Sequence, residues 1–188
     1  MVRITLGKDV VVSDPCYSIP TWCHTIINNV KPGNFMAFVK KVDIDGWGTR
    51  CSCLYVIHEK HLNRTLRWIE HGSSLGVDSG SLGVFDLKGY RNNNVPIPPG
   101  KGERIFGAKL GDEDYWYEMM CTRTLSEEQW GTYDTGVVTS SGVGDGSYNL
   151  GLAEYRGQVV GFLVDFQVEE EPYVDINWYM KEFWNVQE

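Results

Sequence analysis

The chain has 188 residues, 42% of them hydrophobic and 22% charged, with a formal net charge of −8. This composition predicts one folded domain with a substantial core and excludes wholesale disorder, and no apolar run approaches the ~20 residues that cross a membrane. The acidic total argues against binding a long nucleic acid, because that requires many cations, but it allows a ligand with one or two phosphates.

Most of the chain is predicted to form strands, because short β-branched and aromatic runs alternate with Gly, Pro and Asn. The predicted strands span residues 2–6, 10–13, 35–44, 49–57, 82–85, 137–140, 147–155 and 159–168. Asp45-Gly46 is a strong hairpin signal, and Arg156-Gly157 is predicted to close the last hairpin. The run GFLVDF is apolar almost throughout, which predicts a strand inside a sheet.

The first predicted helix covers residues 60–70, because Leu62, Leu66 and Ile69 recur there at helical spacing. Lys60, Arg64 and Arg67 follow one another at spacings of four and three residues, so they would share another face of this helix. Such a face is either a solvated surface or a binding surface for a phosphate.

The rest of the chain gives weaker signals. Residues 113–121 fit an aromatic helix or a strand, and the prolines and asparagines of residues 91–104 predict an irregular surface loop. Residues 169–188 combine acidic and bulky aromatic side chains, which is typical of a tail that docks on its own sheet or on a second subunit. The predicted fold is a single α+β domain, mainly β, with antiparallel sandwich-like sheets and few short helices.

The start of the chain and its cysteines bear on the compartment. MVRITLGKDVVV lacks the apolar stretch and cleavage site of a secretory signal, which predicts a cytoplasmic protein with reduced thiols. Cys23-His24 with Cys51-x-Cys53 is a conceivable zinc set, but structural zinc sites repeat C-x₂₋₄-C. The spacing favours buried thiols, and no metal or cofactor is expected.

Two glycine-rich turns are candidate binding elements. The segment G-V-G-D-G-S-Y at 142–148 lets the backbone approach a ligand, with Asp145 and Ser147 as hydrogen-bonding groups, or it is only a tight turn. It stands between two strands, so it is neither a P-loop nor a dinucleotide fingerprint. The segment G-V-D-S-G at 76–80 presents Asp78 as an acceptor, or closes an Asx turn.

A third motif is aromatic. S-D-P-C-Y at 13–17 is followed by W-C-H at 22–24, so that Tyr17 and Trp22 are placed to stack on a flat ligand or to cover one end of a sheet. Cys23 and His24 do not form a nucleophilic pair on an extended strand, because adjacent side chains point apart.

The motifs together resemble a bacterial and phage family of unknown function. Its typical members read G-V-D-A-G…F-M-D and later G-W-G-D-G-S-Y, followed by a strand ending in V-x-D-F. Here G-V-D-S-G, F-D, G-V-G-D-G-S-Y and L-V-D-F occur in that order, with Ser79 in place of Ala and Val143 in place of Trp. The S-D-P-C-Y segment is similar to phage-encoded relatives. The resemblance implies a β-rich single domain, and the family has no established activity.

Some phage proteins of this size sequester the cyclic nucleotide signals of bacterial (CBASS-like) immunity without cleaving them. The leading hypothesis places this chain in that class, as a homo-oligomeric sponge for a cyclic dinucleotide in the host cytoplasm, with no membrane partner. No complete catalytic set is visible in the sequence. The predicted ligand-binding residues are Tyr17, Trp22, Arg64, Arg67, Asp78, Ser79, Gly144, Asp145, Ser147 and Tyr148.

Two alternatives remain open at this point. A metal-assisted hydrolase would gather loop carboxylates around a divalent ion: Asp14, Asp78, Asp86 and Asp145. A protein-interaction module would use the acidic aromatic tail at 169–188 as its interface.

Overall fold

The computed structural model describes residues 1–168, and the predicted tail at 169–188 lies outside the described residues. The described part contains eleven strands, β1 to β11, and one α-helix, α1. In chain order the strands are Val2–Leu6, Val10–Ser13, His24–Ile27, Gly33–Ile44, Gly48–His58, Trp68–Val77, Ser81–Asp86, Trp130–Tyr133, Gly136–Ser140, Gly146–Tyr155 and Gln158–Asp165. Helix α1 spans Tyr115–Thr124.

The strands form two antiparallel sheets that pack face to face. The larger sheet has the order β1-β4-β5-β11-β10-β6 and the smaller sheet the order β3-β2-β7-β9-β8. Alternate residues of both sheets fill the core between them, such as Val12 and Val84 from the smaller sheet and Val56 and Phe162 from the larger. The predicted mainly β, sandwich-like fold is confirmed.

Helix α1 and the irregular segment before it cover the outer face of the smaller sheet. Trp116 of α1 is fully buried, and its ring centroid lies 5.2 Å from that of Phe85 on β7. Residues 87–114 contain neither strand nor helix, which confirms the loop predicted at 91–104. None of the helices in the described part of the chain is long and apolar enough to cross a membrane.

The hairpin and interior-strand predictions are confirmed. Gly46 has a φ of 77° in the turn from β4 to β5, and Arg156 and Gly157 have φ values of 51° and 77° between β10 and β11. The apolar run GFLVDF lies mostly in β11, which pairs with β10 on one side and β5 on the other.

The predicted helix over residues 60–70 is wrong. Residues 59–61 form a single 3₁₀ turn, and Trp68 already begins the edge strand β6. Leu62 and Leu66 instead pack with Trp68 on the outer face of the larger sheet. Two of the three apolar residues on which the helix prediction rests therefore pack on a sheet, and the predicted helical stripe of cations does not form.

Candidate functional site

Three connecting segments meet at one end of the sandwich: the β2–β3 loop at 14–23, the β6–β7 turn at 78–80 and the β9–β10 turn at 141–145. The Gly80 amide donates to Asp145 Oδ1 at 2.9 Å, and the Ser141 amide donates to the Gly80 carbonyl at 3.0 Å. The two aspartate-bearing turns singled out in the sequence therefore lie side by side.

Asp14 joins the third segment to this pair. It is fully buried, and its Oδ1 accepts from the Cys16 amide at 2.9 Å and the Ser79 hydroxyl at 2.6 Å. Its Oδ2 accepts from the amides of Asp78 and Ser79, both at 2.8 Å. Four donors use the acceptor capacity of this carboxylate, so Asp14 holds the loops together and has no acceptor position left for a ligand.

Trp22 packs against β6 and forms the aromatic surface of the site. Its side chain crosses Gly76, where any Cβ would collide with the indole ring, yet Trp22 is 64% exposed. Ser147 is the cross-strand partner of Gly76, so its exposed side chain points to the same face of the sheet.

Tyr17 stands beside Trp22, with ring centroids 6.4 Å apart and planes inclined by 53°. Its hydroxyl donates to Asp78 Oδ2. This hydrogen bond raises the pKa of Tyr17 to about 12, so the phenol remains a donor at physiological pH. Tyr17, Trp22 and Asp78 thus present two rings and a carboxylate together.

The glycine-rich turn at 141–145 is held from inside by Tyr148. The Tyr148 side chain is 5% exposed, and its hydroxyl lies 2.6 Å from the Gly144 carbonyl and 3.0 Å from the Ser141 carbonyl, to which it donates. Gly144 has a φ of 124°, which its lack of a side chain permits. The structure places Tyr148 and the Gly144 carbonyl in the framework of the turn, with Tyr148 unable to stack on a ligand.

Tyr117 of α1 belongs to this end as well, and the sequence did not identify it. It contacts the side chains of Ser79, Cys16 and Cys121, and its ring centroid is 5.7 Å from that of the exposed Phe106. The aromatic run at 113–121 was the only signal, and it did not distinguish helix from strand.

The thiols at this end are not activated. Burial raises the pKa of Cys16, and it raises the pKa of Cys23 and of Cys121 to about 11 in each case. A nucleophilic cysteine requires a lowered pKa, so these side chains act as small apolar groups.

Arg64 and Arg67 do not reach this end. Arg67 directly precedes β6, whose opposite end leads into Asp78, and ten strand residues at ~3.3 Å each separate them by about 30 Å. The Arg64 guanidinium lies 4.8 Å from the ring centroid of Tyr155, at the far end of β10 from Asp145. The structure therefore divides the single site predicted from sequence into two separate places.

The electrostatics of the aromatic end are acidic. Asp14, Asp78 and Asp145 converge there, whereas the nearby Arg91 donates to the backbone carbonyls of Pro15 and Cys16 at 2.8 and 2.9 Å. This arrangement favours groups that donate hydrogen bonds over phosphates.

The carboxylates proposed for a hydrolase do not form a metal centre. Asp86 ends β7, opposite the end that follows Gly80, and accepts from the amides of Gly7 and Lys88. Within residues 1–168 there is no group of three or more His, Cys, Asp or Glu side chains that could hold a metal ion.

No family model, curated protein or solved structure matches the chain. Function is therefore inferred from the side chains themselves.

Proposed function

We propose that the protein binds and sequesters a small nucleotide signal, such as a cyclic dinucleotide, without transforming it. The observation that supports this most is the exposed Trp22 ring, which packs against Gly76. A nucleobase stacks on such a ring, and base–aromatic stacking contributes about 1–3 kcal/mol. The Tyr17 ring and the Asp78 carboxylate lie beside it and offer a second aromatic surface and a hydrogen-bond acceptor.

The proposal assigns the acidic groups to the base and the ribose. Asp78 and Asp145 are exposed carboxylates that accept hydrogen bonds from an exocyclic amino group or a ribose hydroxyl. The phosphates of the ligand face solvent in this arrangement, away from the three carboxylates. Ser147, on the same face as Gly76, supplies a further hydroxyl.

Sequestration requires affinity and abundance, and it needs no proton-transfer group. Asp14 is saturated by four donors, and the thiols around it have raised pKa values. The proposal includes a cytoplasmic location, in the host if the chain is phage-encoded, and a homo-oligomeric state in which each chain presents its own Trp22.

The experiment is a calorimetric screen of cyclic dinucleotides against the full chain, Trp22→Ala and Trp47→Ala. Trp47 is a matched control, because it is 55% exposed but lies in the β4–β5 turn. We expect Trp22→Ala to weaken binding about tenfold or more and Trp47→Ala to leave it unchanged. Equal effects of the two substitutions, or no binding by the wild type, would contradict the proposal.

Chromatography of the bound ligand separates a sponge from an enzyme. After incubation and denaturation of the protein, the proposal predicts that the cyclic dinucleotide is recovered intact. A cleaved product would establish the hydrolase alternative instead.

A further inference from the structure

A second cluster of functional side chains lies at the opposite end of the larger sheet. Tyr155, the last residue of β10, is approached by Arg64 with its Cζ 4.8 Å from the ring centroid and by Arg156 with its Cζ at 5.3 Å. The ring centroid of His61 is 4.8 Å from the same ring, and the Lys31 ammonium lies 3.5 Å from His61 Nε2.

This cluster is positively charged, because it gathers one lysine and two arginines. Within residues 1–168, no carboxylate forms an ion pair with Lys31, Arg64 or Arg156. Glu59, two residues before His61, pairs instead with Arg3 at 3.8 Å. The two guanidinium groups beside Tyr155 and the ammonium group beside His61 repel one another, and an anion between them would remove that repulsion.

His61 adds an unsatisfied donor to the same cluster. Its side chain is buried, with 2% of the residue exposed, and its Nε2 faces an ammonium group that can only donate. The remaining proton of the neutral imidazole therefore lies on Nδ1, which has no hydrogen-bond partner in the described part of the chain. A buried donor without a partner is uncommon in folded proteins, and a bound anion is one way to satisfy it.

The backbone that carries these cations is fixed. The Lys31 amide donates to the Val159 carbonyl at 2.9 Å, and the Val159 amide donates to the Asn29 carbonyl at 3.1 Å. The Asn29 side-chain amide donates to the Gly157 carbonyl at 2.5 Å, next to Arg156 in the β10–β11 turn. Two segments remote in sequence are thus locked together at the place where the charges meet.

We propose that the Lys31, His61, Arg64 and Arg156 cluster is a binding site for a small phosphate-type oxyanion. Arginine forks bind phosphate oxygens with two hydrogen bonds each, and the lysine supplies a compact third charge. The two guanidinium groups lie against the same Tyr155 ring, with their Cζ atoms 4.8 and 5.3 Å from its centroid. The site shares no residue with the Trp22 platform, so its existence does not depend on the proposed function.

The test is calorimetric titration of inorganic pyrophosphate into the full-length protein and into Arg64→Ala, Arg156→Ala and Arg50→Ala. Arg50 is the matched control, because it carries the same charge on β5 but lies about 26 Å along that strand from His58, at ~3.3 Å per residue. All three arginines are at least partly exposed, so equal thermal melting temperatures will show that the variants fold.

We expect one pyrophosphate per chain, an affinity about tenfold or more weaker in Arg64→Ala and in Arg156→Ala, and no change in Arg50→Ala. An equal loss in Arg50→Ala would show diffuse charge attraction and overturn the proposal. Absence of binding to the wild type would overturn it too. The proposal would also be overturned if pyrophosphate bound only after Glu169, Glu170 and Glu171 were changed to Gln. That result would show that carboxylates of the chain itself occupy the cluster.

Discussion

At the scale of single residues, the buried Asp14 carboxylate connects two of the segments that form the aromatic end. Replacing Asp14 with Ala would leave the amides of Cys16, Asp78 and Ser79 without their acceptor. Because a hydrogen bond to a charged group contributes about 1.5–3 kcal/mol and several are lost together, we expect Asp14→Ala to lower the free energy of unfolding by about 3 kcal/mol or more.

Urea denaturation measures this loss, and Asp78→Ala is its control. Asp78 bonds Tyr17 through an exposed side chain, so removing it should change the unfolding free energy by less than about 0.5 kcal/mol. Similar losses for Asp14→Ala and Asp78→Ala would contradict the role given to Asp14.

Two buried histidines make stability depend on pH. His58 Nδ1 accepts from the Lys60 amide at 3.2 Å, and His61 Nε2 faces the Lys31 ammonium. Burial lowers the pKa of both imidazoles, and Lys31 lowers both further, while a hydrogen bond to the Pro32 backbone and the charge of Glu59 partly oppose the shift at His58. Since both pKa values lie below those of the unfolded chain, protonation favours unfolding as the pH falls below about 6.5.

We therefore expect the urea midpoint to be constant at neutral pH and to fall as the pH drops from about 6.5 toward the folded-state pKa values. In His61→Gln this fall should be smaller, because one of the two titrating groups is absent. An identical pH dependence in wild type and His61→Gln would show that other groups dominate.

At the scale of elements, the irregular segment before α1 is tied down by one carboxylate of the helix. Glu118 is fully buried and accepts from Arg104 Nη2 at 2.7 Å and from the amides of Phe106 and Gly107 at 2.8 and 2.6 Å. Burial alone would raise the pKa of Glu118, but these donors lower it below its usual value. The ionised form therefore holds the segment at 104–107 against the helix.

We expect Glu118→Gln to lower the free energy of unfolding by about 2 kcal/mol, because a buried charge-assisted network loses its charge. Limited proteolysis should then cut near residues 104–107 faster than in wild type. Glu113→Gln, at an exposed position before the same helix, should do neither. Unchanged proteolysis in Glu118→Gln would contradict the account.

Sequence patterns predicted some elements better than others, for a physical reason. Strands buried among neighbours, such as β5 and β11, are apolar and carry their own signal. The edge strand β6 reads WIEHGSSLGV, with three residues from Gly72 to Ser74 opposite Asn149 alone, and its exposed polar residues hide the strand period. Local spacing suggested a helix there because long-range pairing with β10 is not visible in the sequence.

At the scale of the whole molecule, the fold brings charged residues from the basic first part of the sequence next to charged residues from the acidic second part. Residues 1–110 carry 14 basic and 9 acidic side chains, and residues 111–188 carry 3 and 16. In the fold, Asp14 and Asp78 from the first part meet Asp145 from the second, while Arg156 joins Arg64 around Tyr155. The sequence predicted most members of the aromatic end but only Arg64 of the basic cluster, because only the strand order shows which residues are neighbours.

The central claim is that the Trp22 ring, seated on Gly76, is the surface on which the ligand binds. Gly76→Ala tests it without touching any ligand-facing group, because an added methyl must displace the indole ring. Gly72→Ala is the matched change on the same strand, where an added methyl meets no atom within 4 Å. Calorimetry with the cyclic dinucleotide found in the screen should show binding weakened about tenfold or more in Gly76→Ala and retained in Gly72→Ala. Full-affinity binding by a folded Gly76→Ala protein would contradict the account.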